Sequence, residues 1–394
     1  MISNFRALRS RLEQIPVEQR GRLLQFAAQR CYLVIVEATD RASAYRVFSV
    51  MNNRGLDLSA TDILKADIVG AIGDAHQDAY NKKWEDIEET LGRAAFGDLF
   101  AHLRMIHQKS KLRATLESEF RQAVKPMERP QQFIDEELTA SADAYRIILN
   151  RMIDTREYAS EISRLLSGLV LLDNYDWQPP AIKFIADNQS NPAAIYEFLR
   201  QLDRVAYSMF IRRVDINGRI NRYAAILRAM ERGGDLQADG LLGLADEEQK
   251  QTLRALDGPI YESTRTCKQV LLRLDEALSE GSAKYDLPVV TIEHVLPQNP
   301  DPQGNWIEHF PDDEVRKSWV HRLGNLVLLS RQKNSSARNW SFERKKKQYF
   351  TRGGATPFVI TSQVLSQEYW NSDVLETRQR DCLQTLASLW SLNA

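Results

Sequence analysis

The residue types best suited to chemistry lie late in the chain, where Glu293 and His294 are adjacent, Pro297 follows, and Asn325 precedes Asn334 by nine positions. Hydrolysis of a phosphodiester is the chemistry such a set serves. A base must deprotonate water, and a divalent cation must offset charge building on the phosphate and the leaving oxygen. A neutral imidazole accepts a proton near pH 7 once a hydrogen-bonded partner fixes its orientation and tautomer, and a backbone carbonyl is one such partner. The surrounding charge agrees: residues 315–352 hold eleven Lys or Arg against one acid, Glu343, a local charge of +10 in a chain whose net charge is -1. That segment suits phosphates, with Arg331, Lys333, Arg338, Arg344, Lys345, Lys346 and Lys347 as its candidate contacts.

These groups need elements to hold them. The apolar run Leu287 to Leu296 is rich in β-branched residues and reads as a strand; Leu323 to Leu329 reads as a second. Ser330 begins a basic stretch that reads as helix through about Tyr349, so the order is strand, long loop, strand, helix. Adjacent strand residues point to opposite faces. Glu293 and His294 therefore share a site only through an irregularity, for which Pro297 supplies a strand break. A turn from the second strand into the helix folds Asn334 back over the first strand, placing it with Glu293 and His294 around one cavity.

Glu293-His294-Val-Leu-Pro297, Leu323-Gly-Asn325-Leu-Val-Leu-Leu-Ser330 and Asn334 resemble the three segments of an HNH, or ββα-metal, nuclease. More narrowly, Thr291 to Gln298, Arg322 to Ser330 and Phe342 to Tyr349 are similar to the nuclease domain of GmrSD-type restriction proteins. The resemblance implies a DNA endonuclease with His294 as base, Asn325 as the catalytic-site residue that ties the loop, and Glu293 and Asn334 as metal ligands. Glu293 stands where many HNH enzymes have Asp. The hard donors imply Mg²⁺ or Mn²⁺. Many HNH modules carry a cysteine zinc site, whereas Cys31, Cys267 and Cys382 lie far apart and read as free thiols. Packing by Trp306, Trp319, Leu326 and Trp340 is expected in its place.

A second resemblance lies at the front. Phe48 to Gly55 and Leu58 to Lys65 look like the tail of the GmrSD N-terminal, nucleotide-using domain, whose earlier Asp-Gly-Gln-Gln-Arg signature is absent. No nucleotide hydrolysis is expected, and a second chain supplying that domain is a candidate partner beside DNA. Taken as plain residues, Asn52, Arg54, Asp62 and Lys65 read as a turn and a helix cap. His76, His102 and His107 read as ordinary helix residues, and His309 and His321 as surface residues of the interstrand loop, with leaving-group protonation the other option for them.

With 394 residues, 43% hydrophobic and 27% charged, the chain exceeds one core and excludes wholesale disorder. Its apolar runs are too short for a bilayer span, and Arg6, Arg9 and Arg11 sit where a secretory signal would be apolar, so a cytoplasmic location is expected. Cys31 to Val36 reads as a strand, Arg41 to Met51 as a helix, and Ser59 with Asp62 as a capping box before a helix burying Ile63, Leu64, Ile68 and Val69. From Trp84 to Leu256 the period is helical, broken at Pro126, Pro130, Pro179-Pro180 and Gly233-Gly234. The expected fold is mainly α with small α/β parts. It comprises a mixed N-terminal remnant (1–83), a helical region (84–260) and an HNH module (261–394). The rival reading is a non-catalytic nucleic-acid-binding or regulatory subunit of a restriction complex.

Overall fold

A computed structural model describes residues 9–32, 59–234, 236, 240–279, 289–330, 339–348, 350 and 356–393. The strand expected through Val36, the helix 41–51, the Asn52–Gly55 turn and the Gly281-Ser282 turn lie wholly or largely outside these residues. Two compact units are present, 1–59 and 60–394. The described part of the first contains the helix Val17–Arg30, which opens after Pro16 and presents Leu24 and Phe26 to solvent.

The second unit is mainly helical, as the 3.6-residue pattern requires. In the helix Pro192–Ile211, Ile195, Phe198, Leu199, Leu202, Val205, Ala206 and Met209 form one buried stripe. Its start is set by Pro192, which needs no amide partner in the first turn, and by Asn191, whose side chain accepts from the Ala194 amide at 3.1 Å. Asp215 and Ser263 cap the helices Ile216–Glu231 and Thr264–Leu278 in the same way. The prolines act differently from one another. Pro179 and Pro180 lie in the first turn of the helix Gln178–Asp187, so they start an element, and Pro130 opens a turn that continues through a π segment into Thr139–Asn150. Gly233, at φ 63°, does end its helix. In the helix Ala60–Gly70, Thr61 takes the buried place expected for Ile63, while Leu64, Ile68 and Val69 are buried as the pattern requires.

One two-stranded antiparallel sheet is present among the described residues, β1 (Thr291–His294) and β2 (Leu326–Leu329). Thr291 pairs with Leu329, Ile292 with Leu328, Glu293 with Val327 and His294 with Leu326. Both strands are shorter than the apolar runs that announce them; Leu323–Asn325 forms a 3-10 turn ahead of β2, so Asn325 sits at the strand's threshold. The ribbon separates two cores. Ile292, Leu326 and Leu328 join the large helical core, while Val327 and Leu329 join a smaller one with Val295, Trp306, Phe342 and Trp370. This explains why β2 is apolar at every position instead of alternating. The ribbon's carbonyls are also covered: Thr361 donates to Leu328 O at 2.7 Å and Arg378 to Leu326 O at 3.4 Å.

The large core runs without interruption from Leu64 to Leu392, so the helical region and the ribbon region are built on shared apolar packing. The last helix, Ser372–Leu389, packs on both. Trp306 is buried, and Trp319 and Trp340 are partly buried against the small core; Leu326 belongs to the large one. Among the described residues the three cysteines are free, and no helix is long and apolar enough to cross a membrane.

Candidate active site

His294 ends β1, and the loop beyond it is shaped by Asn325. The Asn325 amide is fully buried. Its Oδ1 accepts from the Leu296 amide at 2.7 Å and from Trp370 Nε1 at 3.3 Å; its Nδ2 donates to Leu296 O at 3.0 Å and Val320 O at 2.9 Å. Those four bonds use the full capacity of a carboxamide, so Asn325 positions the loop and has no bond left for a substrate. Its main chain adds a fifth tie, accepting from the Val295 amide at 2.9 Å. Gly324 beside it packs against the last helix so closely that a Cβ would lie 2.8 Å from Leu375 O. Its amide donates to Gln379 Oε1 at 2.7 Å.

The register sends Glu293 and His294 to opposite faces of the ribbon, as alternation demands. The irregularity expected to bring both to one cavity does not occur within β1. On the Glu293 face lies Lys345 of the helix Phe342–Gln348, with Nζ 3.5 Å from Glu293 Oε1. The same ammonium donates to His294 O at 2.7 Å and Val295 O at 3.1 Å. Lys345 has no solvent exposure. Its expected role as a phosphate contact is therefore corrected: the side chain faces inward beside Phe342, one helical turn away, and grips the end of β1.

On the other face His294, 4% exposed, meets a cluster the motifs do not announce. Its Nε2 lies 3.3 Å from Nδ1 of His321, and the Gln298 amide nitrogen lies 3.2 Å from its Nδ1. The Tyr261 ring stands edge-on to His294 at 4.3 Å and lies parallel to His321 at 5.4 Å. His321 is thus half-buried against the site and is not a plain surface residue, whereas His309 is exposed as expected. The sequence does hold a signal for His321: it precedes Asn325 by one turn, so fixing Asn325 against the loop draws it in. Tyr261 has no such signal, because it arrives from the helical side of the fold.

Of the other basic candidates, Arg344 is exposed with its guanidinium 4.0 Å from the Trp340 ring centre, and Lys347 is exposed. Lys346 is half-buried and donates to Gln367 O. Arg331, Lys333, Asn334 and Arg338 lie outside the described residues. No group of three His, Cys, Asp or Glu able to hold a metal occurs among the described residues.

Comparison with known proteins bears on the same stretch. No curated protein matches the chain. Residues 246–384 match the family model for GmrSD restriction endonucleases, C-terminal domain. The match begins with the helix Asp246–Asp257, ahead of position 261, and so includes Tyr261 as well as both strands and Lys345. It ends within the last helix, at position 384. This part of the chain is a GmrSD-type C-terminal domain, a domain of restriction endonucleases.

Proposed function

We propose that this domain is a metal-dependent endonuclease of the HNH, or ββα-metal, type that hydrolyses DNA phosphodiester bonds in the restriction of foreign DNA. The observation that supports it most is the placing of the His294 imidazole at the end of β1, held by a loop that Asn325 ties at four points. In this reading His294 removes a proton from the attacking water, a P–O bond forms to that oxygen, and the bond to the leaving ester oxygen breaks. Asn325 and Lys345 keep the main chain of residues 294–296 still while this happens. Arg344 and Lys347, exposed on one short helix, are the described candidates for phosphate contact, with Arg331, Lys333 and Arg338 proposed beside them.

Mg²⁺ or Mn²⁺ dependence is part of the proposal, with Asn334 as a ligand; the further role expected for Glu293 as a ligand is not supported by its position. The described residues do not by themselves fit such an ion. Glu293 faces away from His294 and has the Lys345 ammonium at 3.5 Å.

The test is nicking and linearisation of plasmid DNA with Mg²⁺ or Mn²⁺, with and without EDTA, for the wild type, His294→Ala and Asn334→Ala. Cutting should require the metal and fall about 10²- to 10⁴-fold in His294→Ala, the usual worth of a general base, while DNA binding persists. Failure to cut modified and unmodified DNA with either metal overturns the proposal. If DNA is then still bound without a divalent ion, the domain is a nucleic-acid-binding subunit.

A further inference from the structure

We propose that a groove beside the candidate site binds one unpaired nucleotide of a DNA strand, with the flanking phosphates on Arg254 and Arg380; this rests on DNA being the substrate. The groove, of about 840 Å³, lies between the helix Asp246–Asp257, the end of the helix Asp313–Val320 and the last helix, Ser372–Leu389. Its floor is apolar. Leu253 and Leu383 are half-buried against the large core and Trp319 against the small one, so all three keep area that neither core covers. Its walls carry three guanidinium groups, those of Arg254, Arg322 and Arg380.

These three differ in what already holds them. Arg322 lies over the Trp319 ring, 4.5 Å from its centre, pairs with the Asp257 side chain and donates to Asp257 O at 2.8 Å. Asp257 also accepts from Gln379 Nε2 at 3.1 Å, so its charge is met from within the protein. Arg254 and Arg380 are exposed and have no acid partner among the described residues. Glu376 is the other acid lining the groove among those residues, which leaves two cations facing one carboxylate. An apolar floor between unpaired cations is the complement of a nucleotide, whose base has an apolar face and whose phosphates sit on either side. Bases stack on aromatic rings and on guanidinium planes, and the Arg322–Trp319 pair offers one of each. Within a duplex both faces of a base are covered by its neighbours, so the occupant is an unpaired or extruded one. Continuity with the candidate site favours a nucleic acid over an acidic peptide. His321 stands between Trp319 and Arg322 in the chain, and its Nδ1 is 3.3 Å from His294 Nε2, so a strand seated here is held beside the ring that meets His294.

The experiment measures, by fluorescence anisotropy in EDTA, binding of the full chain to two short labelled duplexes, one fully paired and one with a single unpaired thymidine. The wild type should bind the second about 10-fold more tightly, within the range for stacking one base on an aromatic platform. Trp319→Leu should remove that preference. Arg254→Ala and Arg380→Ala should each weaken both duplexes and reduce the slope of log K against log salt by about 1. Both arginines are exposed, so their variants keep the test decisive if Trp319→Leu does not fold. Equal binding of the two duplexes by the wild type overturns the proposal, as does an unchanged salt slope in both arginine variants, which would leave the groove to a protein partner. No divalent ion is needed for these measurements. A chain that prefers the unpaired duplex yet never cuts DNA therefore overturns the nuclease reading alone.

Discussion

The helical region and the ribbon region each bury an ion pair, and they complete it in different ways. Where the helical region packs against the helix Thr264–Leu278, Arg273 Nη2 meets Asp203 Oδ2 at 2.8 Å, and Trp390 Nε1 donates to the same oxygen at 3.2 Å. The guanidinium lies over the Tyr207 ring, whose hydroxyl donates to Gly168 O at 2.7 Å. These are side chains holding side chains, and they fasten the helix Pro192–Ile211 to Thr264–Leu278 and to the end of the chain's last helix. In the ribbon region the carboxylate is 3.5 Å from Lys345, and the shorter bonds of the ammonium go to the carbonyls of His294 and Val295. A charge spent on the main chain fixes the strand end that carries His294, the proposed base. The first pair builds scaffold; the second sets the position of a site.

The pairs should therefore break differently. Arg273→Met strands the Asp203 carboxylate and should cost about 3–5 kcal/mol in urea unfolding, as loss of one partner of a buried pair does. Asp203 Oδ1 and Arg273 Nε already lack hydrogen-bond partners among the described residues, so the pair is imperfect. Asp203→Leu combined with Arg273→Met should accordingly regain most of the loss. A double variant as unstable as the single one would show that packing around Arg273, and not its charge, is what counts.

Lys345→Met should destabilise by a smaller amount, about 2–3 kcal/mol, because two carbonyls lose a donor and Glu293 loses a buried cation. Its effect on DNA cutting should exceed its effect on stability, since the strand end at His294 is released. Arg273→Met should show the reverse, with cutting per folded molecule unchanged. Equal losses of cutting in both variants would erase the distinction between the regions.

The helices were legible because amphipathic period is a local property; their starts were not read one by one, and the structure sets three of them with the capping side chains of Asn191, Asp215 and Ser263. The two strands were legible from β-branched content, but not their ends, because Asn325 trades strand pairing for a turn whose hydrogen bonds come from Leu296, Val320 and Trp370. Lys345 is hidden in the sequence because three successive lysines look like a solvated face. Only the one-turn offset from Phe342, together with the burial of Phe342 in the core, turns Lys345 inward. Tyr261 was illegible, since nothing local ties a residue of the helical side to His294.

Acid should test the helical region selectively. Burial lowers His102 to about 4 from 6.5, with a hydrogen bond to Gln178 opposing. Between those two pH values the unfolded chain binds a proton that the folded chain refuses. Stability is then intact above about pH 6.5 and declines as pH falls toward 4, by about 3 kcal/mol for this group. His102→Gln should flatten that part of the unfolding profile measured by circular dichroism, and His309→Gln, at an exposed position, should not. Matching profiles for wild type and His102→Gln would remove His102 as a source of acid sensitivity.

The smallest effect belongs to the exposed side of the helix that carries Lys345. Arg344 and Lys347 face solvent, with Arg344 braced over Trp340, so each can meet a phosphate without disturbing the core. If they do, replacing either with Ala should weaken binding about equally for all DNA sequences and reduce the slope of log K against log salt by about 1. Stability should change by less than about 0.5 kcal/mol, as for surface substitutions generally. Lys345→Met, one or two residues away, should leave the salt slope alone because its ammonium is buried against the end of β1. A fall in slope for Lys345→Met equal to that for Lys347→Ala would mean that the buried lysine is delivered to the DNA on binding, and the division of labour along this helix would have to be redrawn.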